Sequence, residues 1–264
     1  MNLGLSGKLA VVTGSTAGIG LAIAAILAEE GARVFINGRT QARVDSAVEK
    51  LRMNNRGAEL NGVAADLGTA AGIDTLIKEV PVADILINNL GIFEVKPFLE
   101  IPDDDWQRFF DVNILSGVRL SRHYLPNMLK KNWGRIIFIS SESAQQIPAE
   151  MVHYGMTKTG QVAIASGIAR TLVGTGVTSN SVLVGPTASE GAGNFLAQVA
   201  RQQGISSAEM EKQFFATARA TSLLKRFETP EEVANVVAFL AGVQSSIING
   251  AAVRAEGGVV QSIL

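Results

Sequence analysis

Short apolar runs recur along the chain, separated by stretches in which apolar positions return with a helical period. KLAVVT (8–13), RVFIN (33–37), 60–65, ADILIN (83–88), RIIFIS (135–140), 177–184 and 251–255 each read as a strand. Between them 21–30 (LAIAAILAEE), 41–53, 103–131 and 151–174 read as helices. The stretch 103–131 opens on acidic residues, which suit the positive end of a helix dipole. Thr229 followed by Pro230, Glu231 and Glu232 is an N-cap with proline at the first helical position, opening a helix that runs to Ala241. Residues 188–222 look helical but broken by Gly191, Gly193 and Gly204. Strands that are apolar throughout are buried on both faces, the mark of a parallel sheet. The expectation is an α/β fold, a Rossmann-type doubly wound parallel sheet of about seven strands with helices on both faces.

No stretch reads as a linker, a repeat or a low-complexity segment, so 1–264 is expected to be a single nucleotide-binding domain. Of the 264 residues 47% are hydrophobic and 18% charged, enough to bury a large core. With 23 basic and 24 acidic residues the net charge is −1, which argues against nucleic acid or an anionic membrane as the main partner. The absence of cysteine removes disulfides, thiolate metal sites and cysteine nucleophiles, and two histidines are too few for a histidine-rich metal site. No metal is expected. The first residues lack the pattern of a signal peptide, and no apolar run is long enough to span a bilayer, so a cytoplasmic protein is expected.

Against this frame, two local patterns carry chemistry. Thr13-Gly14-Ser15-Thr16-Ala17-Gly18-Ile19-Gly20 lies between the first strand and the first helix. Glycines there let the backbone approach a pyrophosphate, and the helix N-terminus offers free N–H groups. Gly14, Ser15, Thr16, Gly18, Ile19 and Gly20 are therefore candidate cofactor contacts, although GxxxGxG meets the general GxGxxG fingerprint only approximately. The second strand ends in Asn37-Gly38-Arg39-Thr40, with no acid for a ribose hydroxyl and one arginine suited to an extra phosphate. Arg39 favours NADP(H), with NAD(H) as the alternative.

The second pattern is Tyr154-Gly155-Met156-Thr157-Lys158. Four residues apart on a helix, phenol and ammonium lie one turn from each other on one face. A tyrosine ordinarily keeps its proton to about pH 10, and a neighbouring cation should bring it toward the working range for exchange with a substrate oxygen.

In these pieces the chain resembles the short-chain dehydrogenase/reductase family over nearly its whole length, in the manner of its 3-oxoacyl-carrier-protein reductases. The glycine motif falls on Thr13 to Gly20, the adenine-side aspartate on Asp66 followed by Leu67, and Asn-Asn-Ala-Gly appears as Asn88-Asn89-Leu90-Gly91. The asparagine of the long helix falls on Asn113, and the serine 13 positions before the tyrosine on Ser141. Tyr154 and Lys158 complete the tetrad, and the segment after the sixth strand reads Asn180-Ser181-Val182-Leu183-Val184-Gly185-Pro186. Leu90 replaces a small alanine, Val184 a proline and Glu256 an aspartate, none of which removes a group the reaction needs.

The resemblance implies hydride transfer between a nicotinamide and a carbonyl carbon, on a CH–OH/C=O substrate of small-molecule size. Tyr154 would be the acid/base, Lys158 would lower its pKa and hold the nicotinamide ribose, and Ser141 would hydrogen-bond the substrate oxygen. Asn113 would hold a water linking Lys158 to solvent. Asn89 and Gly91 would flank the nicotinamide, whose carboxamide would meet Thr187 and Ser189. Residues 186–225 would cover the substrate, with Phe195, Leu196, Phe214 and Phe215 making the cover apolar. Arg119, Arg122, Lys130, Lys131 and Arg135 are candidates for a basic edge facing an acyl carrier, and the family implies a homotetramer. His153 and His123 read as packing residues. The rival readings are an NAD-dependent alcohol dehydrogenase and a nucleotide-sensing protein without turnover; the intact tetrad disfavours the second.

Overall fold

The computed structural model describes the chain except residues 1, 56, 191–192, 194–196, 198–199, 202–203 and 264. Phe195, Leu196 and Gly191, named above, thus lie outside the described residues. Seven strands, β1 (Leu9–Val12), β2 (Arg33–Gly38), β3 (Leu60–Ala64), β4 (Ile85–Asn88), β5 (Gly134–Ser141), β6 (Val177–Val184) and β7 (Ala252–Ala255), form one sheet. Their order is 3-2-1-4-5-6-7, and every pair is parallel. The order reverses at the β1–β4 junction, where an open parallel sheet leaves a crevice beyond its strand C-termini.

Helices α1 (Gly18–Glu29), α2 (Gln41–Asn54), α3 (Ala70–Glu79), α4 (Asp103–Phe110), α5 (Ser116–Lys130), α6 (Val152–Arg170), α7 (Ser207–Ala216) and α8 (Pro230–Ala241) complete the layers. The apolar strands divide their side chains between two cores by the period-2 rule. Ala10, Val12, Val34, Ile36, Ile137 and Ile139 pack against α1, α2 and α8, while Val11, Leu86, Ile136 and Phe138 pack against α3, α5 and α6. At α8 the expected N-terminus is present as a capping box. Thr229 Oγ1 accepts from Glu232 N–H at 3.2 Å, and Glu232 Oε2 accepts from Thr229 N–H at 2.8 Å.

Two features differ from the sequence expectation. The periodicity gives no helix between β3 and β4, yet α3 stands there, capped by Thr69 and burying Ile73 and Leu76. A Cβ at Gly72 would fall 1.9 Å from the Asp66 carbonyl oxygen, so the close packing of this helix on the strand end requires glycine. The single helix expected over 103–131 is α4 and α5 joined by a π-helical turn at Asp111–Leu115, a widening that recurs at functional positions. Asn113 sits in that turn.

Candidate active site

The β1–α1 turn is built largely of backbone. A Cβ at Gly20 would lie 2.7 Å from the Gly14 carbonyl oxygen and 2.5 Å from Asn89 Nδ2, so no other residue fits. The N-cap residue Ala17 makes no side-chain capping bond, leaving the first N–H groups of α1 for an anion. Asn89 pins the turn by donating from Nδ2 to the carbonyls of Thr13 (2.9 Å) and Gly14 (3.0 Å).

Above the turn lies a cavity of about 780 Å³ lined by Gly14, Thr16, Gly18, Ile19, Gly20, Arg39, Leu67, Asn89, Gly91 and Ser189, among others. Ten of the expected cofactor contacts are thus brought together, and the size and donor set suit a dinucleotide. Four others sit differently, among them Lys158, which lines neither this cavity nor its neighbour. Ser15 is buried and tied inward: its hydroxyl donates to Val12 O (2.6 Å) and accepts from Asn37 N–H (3.0 Å), and its own N–H donates to Asn37 O. It holds the turn from within and is not among the residues lining the cavity. Asp66 is exposed beside the lining residues Ala65 and Leu67, its carboxylate accepting from Gly68 N–H at 3.1 Å. Thr187 lines the neighbouring cavity instead. One lining residue escaped the sequence reading. Arg43, in the first turn of α2 and four positions after Arg39, borders the cavity and pairs with Glu190 at 3.1 Å. The four-residue spacing from Arg39 was the available signal.

The second cavity, about 430 Å³, opens beside the first and shares Ile19 and Ser189 with it. Phe93, Val95, Met151, Met210, Phe214 and Phe227 make most of its wall apolar, and Phe214 stacks on Phe227 with centroids 5.3 Å apart. Ser141 at the end of β5 and Tyr154 on α6 both line it.

Lys158, one turn on, is buried with its ammonium donating to Ile139 O (2.8 Å) and Gln161 Oε1 (3.2 Å). Burial pushes it down to about 8, against the pull of Glu142. Tyr154 is pushed above its ordinary value, first by burial and then by the Glu142 charge, with Ser141 and Arg219 opposing. Lys158 is not among the charges that move the phenol; Glu142 and Arg219 are.

Asn113 is fully engaged. Its Oδ1 accepts from Ile92 N–H (2.8 Å), and its Nδ2 donates to Ile92 O (3.0 Å) and Thr157 Oγ1 (2.9 Å). Gln161 Nε2 donates to the Asn113 carbonyl at 2.8 Å while Gln161 Oε1 takes the Lys158 ammonium. A single amide thus links the Asn113 carbonyl to the Lys158 ammonium. Gln161 lies three residues after Lys158 on α6, a spacing that marked it as a neighbour.

The remaining candidates resolve cleanly. His153 is fully buried with its ring 4.1 Å from that of Phe109, burial holding its pKa down. His123 meets Pro81 O at 3.1 Å through Nε2. Arg135 is no part of a basic edge. It is buried, its guanidinium donating to the carbonyls of Gly134, Gly176 and Gly242, and Lys131 is paired with Asp84 at 2.8 Å.

A doubly wound sheet with an anion-binding turn at its switch point, and a tyrosine–lysine pair on the adjacent helix, defines a dinucleotide-dependent oxidoreductase. The chain belongs to the short-chain dehydrogenase family, whose model matches residues 8–200, and is an NAD(P)-dependent oxidoreductase acting between CH–OH and C=O. The uncharacterized oxidoreductase YvaG of Bacillus subtilis is 49% identical over 263 residues, covering 100% of both chains. A 3-oxoacyl-[acyl-carrier-protein] reductase of Aquifex aeolicus is 33% identical over 98% of this chain and 100% of its own. Among solved structures, L-sorbose reductase from Gluconobacter frateurii, complexed with NADPH and L-sorbose, superposes with a TM-score of 0.94 at 29% identity over 100% of each chain. Among the described residues no helix is long and apolar enough to cross a membrane.

Proposed function

We propose that the protein is an NADP(H)-dependent carbonyl reductase that interconverts a ketone and a secondary alcohol. The observation that carries this is the junction of the two cavities at Ile19 and Ser189, one polar and arginine-edged, the other apolar, with Ser141 and Tyr154 facing in beside it. NADP(H) is favoured by Arg39 and Arg43 at the ribose end, and by relatives such as the sorbose reductase solved with NADPH. When bound, the nicotinamide supplies the hydride chemistry. Tyr154 gives a proton to the substrate oxygen in reduction and takes it in oxidation, and Ser141 hydrogen-bonds the same oxygen as charge develops. Lys158, Gln161 and Asn113 form the buried polar line behind the tyrosine. Residues 186–225 cover the substrate, and the chain acts as one domain within a homotetramer.

The test is cofactor oxidation, NADPH against NADH, over a panel with a 3-oxoacyl thioester, a cyclic ketone and a ketose. Turnover with NADPH is expected to fall by about 10²–10⁴-fold in Tyr154→Phe. Preference for NADH would remove the role given to Arg39 and Arg43. Tight NADPH binding without turnover on any ketone would favour a nucleotide sensor.

A further inference from the structure

Glu142 follows Ser141 directly and is buried where a charge needs partners. Its Oε1 accepts from Arg219 Nε at 2.8 Å. Its Oε2 accepts from Ser143 N–H at 3.0 Å and, at closer range, from the Ser141 hydroxyl. Ser143 N–H also donates to Ser141 Oγ at 3.1 Å. A serine has one proton to give. With Glu142 taking it, that proton points at the carboxylate rather than at a substrate oxygen.

Arg219 reaches this point from the turn after α7, within the segment expected to cover the substrate. Its Nη1 donates to Ala218 O at 2.9 Å, and its guanidinium lies 5.8 Å from the centre of the Phe214 ring. The two side chains are 5% and 13% exposed, so the pair is shielded from solvent, and both line the substrate cavity.

We propose that Glu142, clamped by Arg219, is a positioning residue that sets the direction of the Ser141 proton and the acid strength of Tyr154. This rests on the reading of Tyr154 as the acid/base of a carbonyl reductase. The charges around Glu142 are Arg219 on its open side, Lys158 from α6 and Glu228 from the segment before α8. A carboxylate beside the phenol opposes a second negative charge, and Arg219 acts the other way. In reduction, Ser141 must turn its proton from Glu142 to the substrate oxygen while Tyr154 donates its own. The carboxylate thus competes with the substrate for the serine. In oxidation it holds the phenol back from ionising until the pH is higher.

The pair therefore makes a sign-specific prediction that a merely structural ion pair does not. In alcohol oxidation with NADP⁺ as hydride acceptor, kcat rises with pH as Tyr154 becomes a base. Glu142→Gln, which keeps a group able to accept the serine proton, is expected to move that rise down by about one pH unit. Arg219→Gln is expected to move it up, and Arg219→Lys to restore it. Movement of both variants in the same direction, or unchanged midpoints with only a lower plateau, would overturn the proposal. If Arg219→Gln fails to fold, Glu142→Gln decides alone, an unmoved midpoint counting against it. Should the wild type turn over no alcohol or ketone, the reductase reading fails separately. The titration of Lys158, followed by its ¹³Cε resonance and assigned with Lys158→Met, then tests whether Glu142 governs this acid–base centre: a midpoint near 8 that drops in Glu142→Gln supports it, and one that stays fixed overturns it.

Discussion

The two halves of the cleft are made of different materials. The cofactor side is backbone: glycines, the opening turn of α1, and an asparagine clamping two carbonyls. The substrate side is side chain: six apolar walls, a serine, a tyrosine and one shielded charge pair. Backbone sites tolerate little variation because a single added carbon collides with atoms that cannot move. Side-chain sites can be rebuilt by changing what the segment after β6 presents. A fold can therefore keep its cofactor while its substrate changes.

The largest effect should come from attacking the backbone half. Gly20→Ala places a methyl against the Gly14 carbonyl and Ser15 Cα, both main-chain atoms. Overpacking of this kind costs about 1–3 kcal/mol, or roughly tenfold to a hundredfold in affinity if it falls on the cofactor. Calorimetric titration with NADPH should register that loss while the far-ultraviolet circular dichroism stays that of the wild type. An unaltered affinity would mean that the turn does not hold the cofactor.

Next is Gln161→Leu, which leaves the Lys158 ammonium with Ile139 O and frees the Asn113 carbonyl. A buried cation deprived of a neutral partner loses about 1–3 kcal/mol of stabilisation. Lys158 should then titrate below 8, with kcat falling about tenfold and the KM for the ketone little changed. A KM effect alone would assign Gln161 to substrate binding.

The contrast between the halves also explains what the sequence discloses. Gly14 to Gly20, Asn89 and Gly91 were legible because a backbone site depends on the spacing of a few glycines and amides along one strand–turn–helix. Tyr154 and Lys158 were legible because one turn of one helix sets their relation. Gln161 was not assigned a place, and Glu142 was read as a pocket-lining or a loop residue, since the partners of each lie far away in the chain, at Asn113 and Arg219. Ser15, whose type suits a phosphate contact, is turned away from the cavity lining by its bonds to Val12 and to Asn37 on β2. The parallel sheet was legible in the apolar strands, whereas no helix was placed between β3 and β4, where α3 packs so closely on Asp66 that Gly72 leaves no room for a Cβ.

A third prediction concerns a buried acid behind Gly185, which lines the second cavity. Glu228 is buried, with Oε2 accepting from Gly185 N–H at 3.2 Å and Oε1 without a hydrogen-bond partner among the described residues. Burial, with Glu142 and Glu256 nearby, raises it to about 7 despite the Gly185 bond. An acid whose pKa is higher in the fold than in the unfolded chain binds its proton more tightly in the fold. Its contribution is fully present below about pH 4.5 and is lost as pH rises through 7. The stake is up to roughly 3 kcal/mol. Glu228→Gln should flatten the fall in melting temperature between pH 5 and 8 and exceed the wild type above it. An unchanged pH slope would place the ionised carboxylate comfortably in the fold.

The smallest effect should lie at the rim of the cofactor half, where Arg43 pairs with Glu190 and both side chains are 54% exposed. An exposed ion pair contributes at most about 1 kcal/mol, so Arg43→Gln should leave stability nearly unchanged. Its consequence is for the cofactor: the KM for NADPH should rise about threefold, less than for Arg39→Gln, and the KM for NADH should stay the same. The ordering matters more than the size. Arg39 directly follows the end of β2, whereas Arg43 must leave Glu190 to meet a phosphate and so gives up one partner to gain another. Equal effects from the two substitutions would mean that Arg43 is no less committed to the phosphate than Arg39. A rise for NADH matching that for NADPH would mean that both arginines meet a part common to the two cofactors.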